Sequence, residues 1–207
     1  MKKIIIGVLG LAIVAFFAFK GEGDKHTDIA LGDKAPKAEL EMKNTNGEMA
    51  SLQSEKGENG LLVVFSCNTC PFVIAWEDQY PELYELCAAN NVGMIAINSN
   101  EAKRDGDDSW KAMKVKAKAD KYQFAYVVDT DSELAYAFGA TRTPHIYLFD
   151  GDMKLTFKGA INDKYENKTK TAGKHYLKDA IGKMVNGEKI DPAITKPMGC
   201  TIKKVKV

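Results

Sequence analysis

Residues 60–73 read Gly60-Leu-Leu-Val-Val-Phe65-Ser-Cys67-Asn-Thr-Cys70-Pro71-Phe-Val73. The apolar run Leu61 to Phe65, bounded by Gly60 and Ser66, describes a strand buried on both faces, as at the centre of an α/β sheet. Directly after it, Val73, Trp76, Tyr80, Leu83, Tyr84 and Cys87 recur at helical spacing and predict a helix over 71–90, kinked at Pro81. Proline suits the first helical position because its missing N–H would have no partner there. That puts Cys70 at the N-cap, where free amides and the positive end of the helix favour a thiolate. The thiolate is the nucleophile of disulfide exchange, so Cys70 reads as the attacking sulfur and Cys67 as its partner. A Cys-x-x-Cys between strand and helix is a dithiol redox pattern; a structural bridge or two buried thiols are the bland alternatives.

Downstream, Val92 to Asn98 predicts the next strand and 107–120 a second helix, with Asp107 or Asp108 as its cap. Phe124 to Val128 is a third buried strand and Ser132 to Phe138 a short helix. His145–Phe149 and Leu155–Lys158 flank the turn Asp150-Gly151-Asp152 and predict an antiparallel hairpin. Lys174 to Val185 supplies the last helix. Strand–helix–strand–helix followed by a hairpin and a helix describes an α/β sandwich with a mixed sheet, whose sites sit at strand C-terminal ends. The Phe65 end of the first buried strand is that place.

The chain has 207 residues, with Lys+Arg 29 against Asp+Glu 28 and a net charge of +1, which leaves no basic excess for a nucleic-acid partner. Met1 to Lys20 (MKKIIIGVLGLAIVAFFAFK) places two lysines before an apolar run over residues 4–19, the pattern of a secretory signal. The run is shorter than the ~20 apolar residues that span a bilayer comfortably, and no small-residue cleavage site stands out. Cleaved signal and uncleaved anchor therefore both fit, and either implies export to the periplasm or the outer face of the membrane. No Cys precedes Cys67, which excludes a lipid-modified lipoprotein. Without residues 1–20 the body is two charges on the acidic side. Residues 21–34, polar and glycine-bearing, read as a tether, and 35–207 as one domain. Four cysteines are too few to staple a domain of this size, so their chemistry is local.

From about Leu31 to Cys200 the sequence resembles the thioredoxin-like superfamily, specifically its redoxin branch of TlpA/ResA-like and peroxiredoxin-like proteins. The resemblance rests on Leu31-Gly-Asp-Lys-Ala-Pro36, like the segment that opens redoxin domains, and on Gly139-Ala-Thr-Arg-Thr-Pro144, like the segment ending in that family's cis-proline. It rests further on three features of a peroxiredoxin-like group: Cys67-Asn-Thr-Cys70-Pro71, Trp76-Glu77-Asp78, and Gly199-Cys200-Thr-Ile-Lys203. It implies a thioredoxin-like three-layer sandwich with a mixed central sheet and an N-terminal redoxin-type extension. Thr143, Pro144 and Arg142 would then contact substrate, with the proline facing the dithiol. The motif departs from both relatives. Cys70, not Cys67, falls on the thioredoxin nucleophile position, and Val73 replaces the resolving cysteine. Where peroxiredoxins carry Thr three residues back and Pro seven back, this chain has Cys67 and Val63.

Three functions follow as expectations. The first is an exported thiol–disulfide oxidoreductase acting on protein disulfides and supplied by a thiol electron donor, with the dithiol as its only redox group and no cofactor. The second is a peroxiredoxin-like thiol peroxidase, an antioxidant in which Cys70 is oxidised by hydroperoxide to a sulfenic acid that condenses with Cys67 or Cys200. The third is a copper- or zinc-binding module, for which two thiolates and one histidine give a thin ligand set; no metal site is expected. Cys200, in a polar tail after Pro197-Met198-Gly199, either docks on the sheet or folds back as a second resolving thiol. Cys87 reads as an inert core thiol, Trp76 and Tyr80 as core, and His145 as a packed histidine. Arg142 and Glu77 read as solvated side chains or as groups serving the thiols.

Overall fold

The computed structural model describes residues 28–165 and 171–205. The signal or anchor over 1–20 lies outside them, and no helix among the described residues is long and apolar enough to cross a membrane. In chain order come β1 (Met42–Asn44), β2 (Met49–Ala50), β3 (Gly60–Ser66), α1 (Pro71–Ile74), α2 (Tyr80–Ala89), β4 (Val92–Asn98) and α3 (Trp110–Ala119). There follow β5 (Ala125–Val128), α4 (Glu133–Phe138), β6 (Arg142–Thr143), β7 (His145–Asp150), β8 (Leu155–Gly159), α5 (Tyr176–Val185) and β9 (Cys200–Thr201).

Every residue of β3 is buried, and its alternation divides the core in two. Leu61, Val63 and Phe65 join one cluster with Leu134 and Phe138 of α4. Leu62 and Val64 join the other, with Leu83 of α2, Met113 of α3 and Ile181 of α5. A strand covered on both faces gains from unbroken apolar residues, which is why the run is continuous. The sheet order is β2-β1-β5-β4-β3-β7-β8. β3, β4 and β5 are parallel neighbours, while β7 and β8 form an antiparallel hairpin beside β3. This is the mixed, three-layer thioredoxin-like sandwich expected from the sequence, with β1 and β2 as the N-terminal addition.

Two elements differ from expectation. The helix predicted over 71–90 is broken: α1 is one turn, a 3-10 turn follows at Glu77–Gln79, and α2 begins at Tyr80. Pro81 stands in the first turn of α2, where a missing N–H costs nothing, so it starts a helix instead of kinking one. The break lets Trp76 turn inward, where its Nε1 donates to Asn162 Oδ1 at 2.8 Å. The second difference is the start of α3, which Ser109 caps by accepting from Ala112 N at 3.3 Å, not Asp107 or Asp108.

Residues 28–34, read as tether, are docked on the body. Gly32 N donates to the Leu155 carbonyl and Leu155 N to the Asp33 carbonyl. Lys158, with its side chain only 9% exposed, pairs with Asp28 at 2.6 Å.

Candidate active site

β3 ends at Ser66, and four residues carry the chain from the sheet to α1. Cys70 is the N-cap, extended at φ −68° and ψ 124°, with Pro71 in the first turn behind it. Because α1 has a single turn, the amides beside Cys70 act on its sulfur more than any summed dipole does. Opposite lies Thr143, joined to Pro144 by a cis peptide bond. Its carbonyl oxygen is 3.1 Å from Cys70 Sγ, and its hydroxyl oxygen lies 3.4 Å from Cys67 Sγ.

A third thiol completes the group. β9 pairs antiparallel with β6, setting Cys200 directly across from Thr143. Cys67, Cys70 and Val73 form a small buried cluster on which Phe72 and Cys200 pack. Cys67 is 2% and Cys70 5% exposed, whereas Cys200 is partly exposed. All four cysteines are free thiols. A cleft of about 180 Å³ opens over the sulfurs, with Lys103 and Lys203 among its lining residues.

The charge belongs to Cys70. Its sulfur accepts first from the Cys67 thiol and then from the Cys200 thiol and the Val73 amide, and these donors overcome burial to hold it down at about 4. Besides burial, the Thr143 carbonyl stands against them, since it accepts from the protonated thiol and opposes the thiolate. Cys67 moves the other way. Donating to Cys70 holds its proton, with burial and the Asp108 carboxylate adding to the effect. Cys200 is pushed up to about 11, first by burial and then by its bond to Cys70.

The Cys67–Cys70 loop hangs from a buried carboxylate, Asp108, which does not cap α3. Asp108, 1% exposed, accepts from Asn68 N and Asn98 Nδ2 at 2.8 Å each and from Asn100 Nδ2 at 2.9 Å. Tyr126 Oη donates to Asn68 Oδ1 at 2.8 Å. The available signal was the polar run Asn98-Ser-Asn100 ending an otherwise apolar strand, since buried amides need partners.

Exposed Arg142 donates to the Thr201 hydroxyl at 3.1 Å and the Gly199 carbonyl at 3.4 Å, so it grips β9 and not a thiolate. The Thr143 edge offered to a substrate chain is occupied by the protein's own Cys200. His145 is buried against Tyr147, and burial depresses it to about 4. Glu77 pairs with Lys116 at 2.6 Å, away from the sulfurs. Cys87 is wholly buried and pushed up to about 12 by that burial. Among the described residues no group of three or more His, Cys, Asp or Glu could hold a metal.

A thioredoxin-like sandwich with thiols at the β3–α1 junction facing a cis-proline defines the class, a thioredoxin-like oxidoreductase. The Redoxin family matches residues 30–174, and the chain belongs to that family. Similar solved structures include an uncharacterized conserved protein from Geobacillus kaustophilus, 29% identical, with a TM-score of 0.80 over 86% of this chain and 94% of that one. A thiol-disulfide oxidoreductase from Bacteroides fragilis, 20% identical, gives a TM-score of 0.53 over 67% of this chain and 98% of that one. Peroxidoxin BcpB from Mycobacterium tuberculosis, 13% identical, gives 0.57 over 77% and 97%. These last two share the fold. No curated protein matches the sequence.

Proposed function

We propose that this protein is an exported thiol–disulfide oxidoreductase in which Cys70 attacks and Cys67 resolves. The observation that carries this reading is the contact set of Cys70, a thiolate between two thiol donors at the mouth of a small cleft. Cys70 attacks one sulfur of a substrate disulfide and becomes joined to it, and the other substrate sulfur leaves as a thiolate and takes a proton. This step erases the charge on Cys70, which is the chief reason Cys67 keeps its proton. Cys67 is thereby freed to ionise and attack Cys70 Sγ, releasing the second substrate thiol and closing Cys67–Cys70. A thiol donor then restores the dithiol. Export is supported by the Met1–Lys20 pattern, and an oxidising compartment supplies disulfides as substrates.

Insulin-disulfide reduction and hydroperoxide consumption, measured in parallel, test the reading. We expect wild type to reduce insulin, Cys70→Ser to be inactive, and Cys67→Ser to fall by at least about tenfold. Peroxide turnover that survives Cys67→Ser with an added thiol, without insulin reduction in wild type, would overturn it in favour of the peroxidase.

A further inference from the structure

Cys70 meets its substrate through the cleft, and in the reduced protein it is 5% and Cys67 2% exposed, both less open than the third thiol beside them. Cys200 touches Cys70 from the solvent side and is partly exposed. Its position is fixed. β9 pairs in register with β6, Ile202 is 4% exposed in the core, and Ile202 N donates to the Thr141 carbonyl at 3.1 Å. Lys203 N donates to Asn100 Oδ1 at 2.8 Å, and Tyr136 Oη donates to the Val205 carbonyl. Gly199 permits the close approach: a Cβ there would lie 2.2 Å from the Thr143 carbonyl oxygen. A segment seated this way is a built part of the site and not a displaceable tail.

We propose that Cys200 is a third redox-active thiol, held against Cys70 by the chain's own C-terminal strand where a substrate cysteine would sit, and that it is the outlet through which the dithiol is re-reduced. This rests on the Cys67/Cys70 reading above. The Cys200 thiolate attacks Cys70 Sγ of the Cys67–Cys70 disulfide; the Cys70–Cys200 bond forms and Cys67 leaves, taking up the proton Cys200 has lost. One disulfide and one thiol remain throughout, so no oxidant or reductant is consumed. An external dithiol then attacks the accessible Cys200 Sγ and expels Cys70, and its second thiol attacks its first sulfur to release Cys200 and leave the reductant as a disulfide. Cys70 is the good leaving group because its thiolate is the stabilised one. The same occupancy of the Thr143 edge points to substrates that reach the sulfurs through the cleft and not by adding a strand to β6.

The test is disulfide mapping by mass spectrometry on the full chain after limiting diamide and an acid quench, together with the rate of re-reduction by dithiothreitol. Both Cys67–Cys70 and Cys70–Cys200 are expected in wild type, and Cys70–Cys200 alone in Cys67→Ser. Cys200→Ser should form only Cys67–Cys70 and be re-reduced about tenfold more slowly or worse. Gly199→Ala keeps the thiol but pushes β9 off Thr143, and should lose Cys70–Cys200. If Cys67→Ser forms no intrachain bond while wild type forms Cys67–Cys70, the proposal falls and the dithiol reading stands; equal re-reduction of wild type and Cys200→Ser overturns the outlet. If Cys67–Cys70 is absent from wild type and Cys200→Ser alike, the dithiol reading falls, and this proposal with it.

Discussion

Cys70 owes its charge to donors that can be removed singly. The Cys67 thiol is the largest of them and the Cys200 thiol smaller. Alkylation of Cys70 by iodoacetamide, followed against pH in the reduced protein, should therefore rise through a midpoint near 4. The midpoint should move up in Cys200→Ala and further up in Cys67→Ala, which remove the donors outright. Asp108 acts one step away, as the anchor of the loop. Asp108→Asn keeps the shape, and its remaining oxygen can still accept from Asn68 N and Asn98 Nδ2, but its amide then faces Asn100 Nδ2, a group that already donates. Urea unfolding of that variant should show a loss of about 1–3 kcal/mol, the cost of a buried polar mismatch. Because Asp108 helps hold the Cys67 proton, the same variant should ionise Cys67 at lower pH once Cys70 is blocked.

Among the elements, β3 and its junction with α1 are legible in the sequence because their signals are local. A continuous apolar run needs only burial on both faces, and a Cys-Pro pair needs only the geometry of one helix start. The break between α1 and α2 is not legible, since it depends on Trp76 Nε1 finding Asn162, 86 residues away. β9 is invisible for a related reason: two residues in a tail without periodicity become a strand only by pairing with β6. Cys200 is accordingly named in the sequence without a place, and Asp108 is given the wrong one, because a capping carboxylate and a buried acceptor look alike until the asparagines of β4 are seen beside it. Trp76→Phe tests the break. The ring survives and the indole bond is lost, so we expect about 1–3 kcal/mol of destabilisation in urea unfolding, with α2 intact by hydrogen exchange.

For the whole molecule, His145 and Cys70 both make stability rise with pH, in windows that overlap below about pH 6.5. His145 titrates at about 4 in the fold because burial disfavours the imidazolium, against 6.5 when exposed. Between those values the unfolded chain binds the extra proton, so stability rises with pH there and His145→Gln should flatten that part of the profile. Cys70 lies at about 4 against 9.0 unperturbed. Its contribution is complete above about pH 9 and declines as pH falls towards 4, in the reduced protein only. Urea midpoints should thus keep climbing from pH 6.5 to 9 when the protein is reduced, and level off when Cys70 is oxidised. The most direct measurement of the central claim is mass spectrometry of the Cys67→Ser/Cys200→Ser double variant after exposure to insulin. With both resolving thiols gone, the mixed disulfide should accumulate on Cys70. An adduct on Cys87, or none at all, would contradict the account.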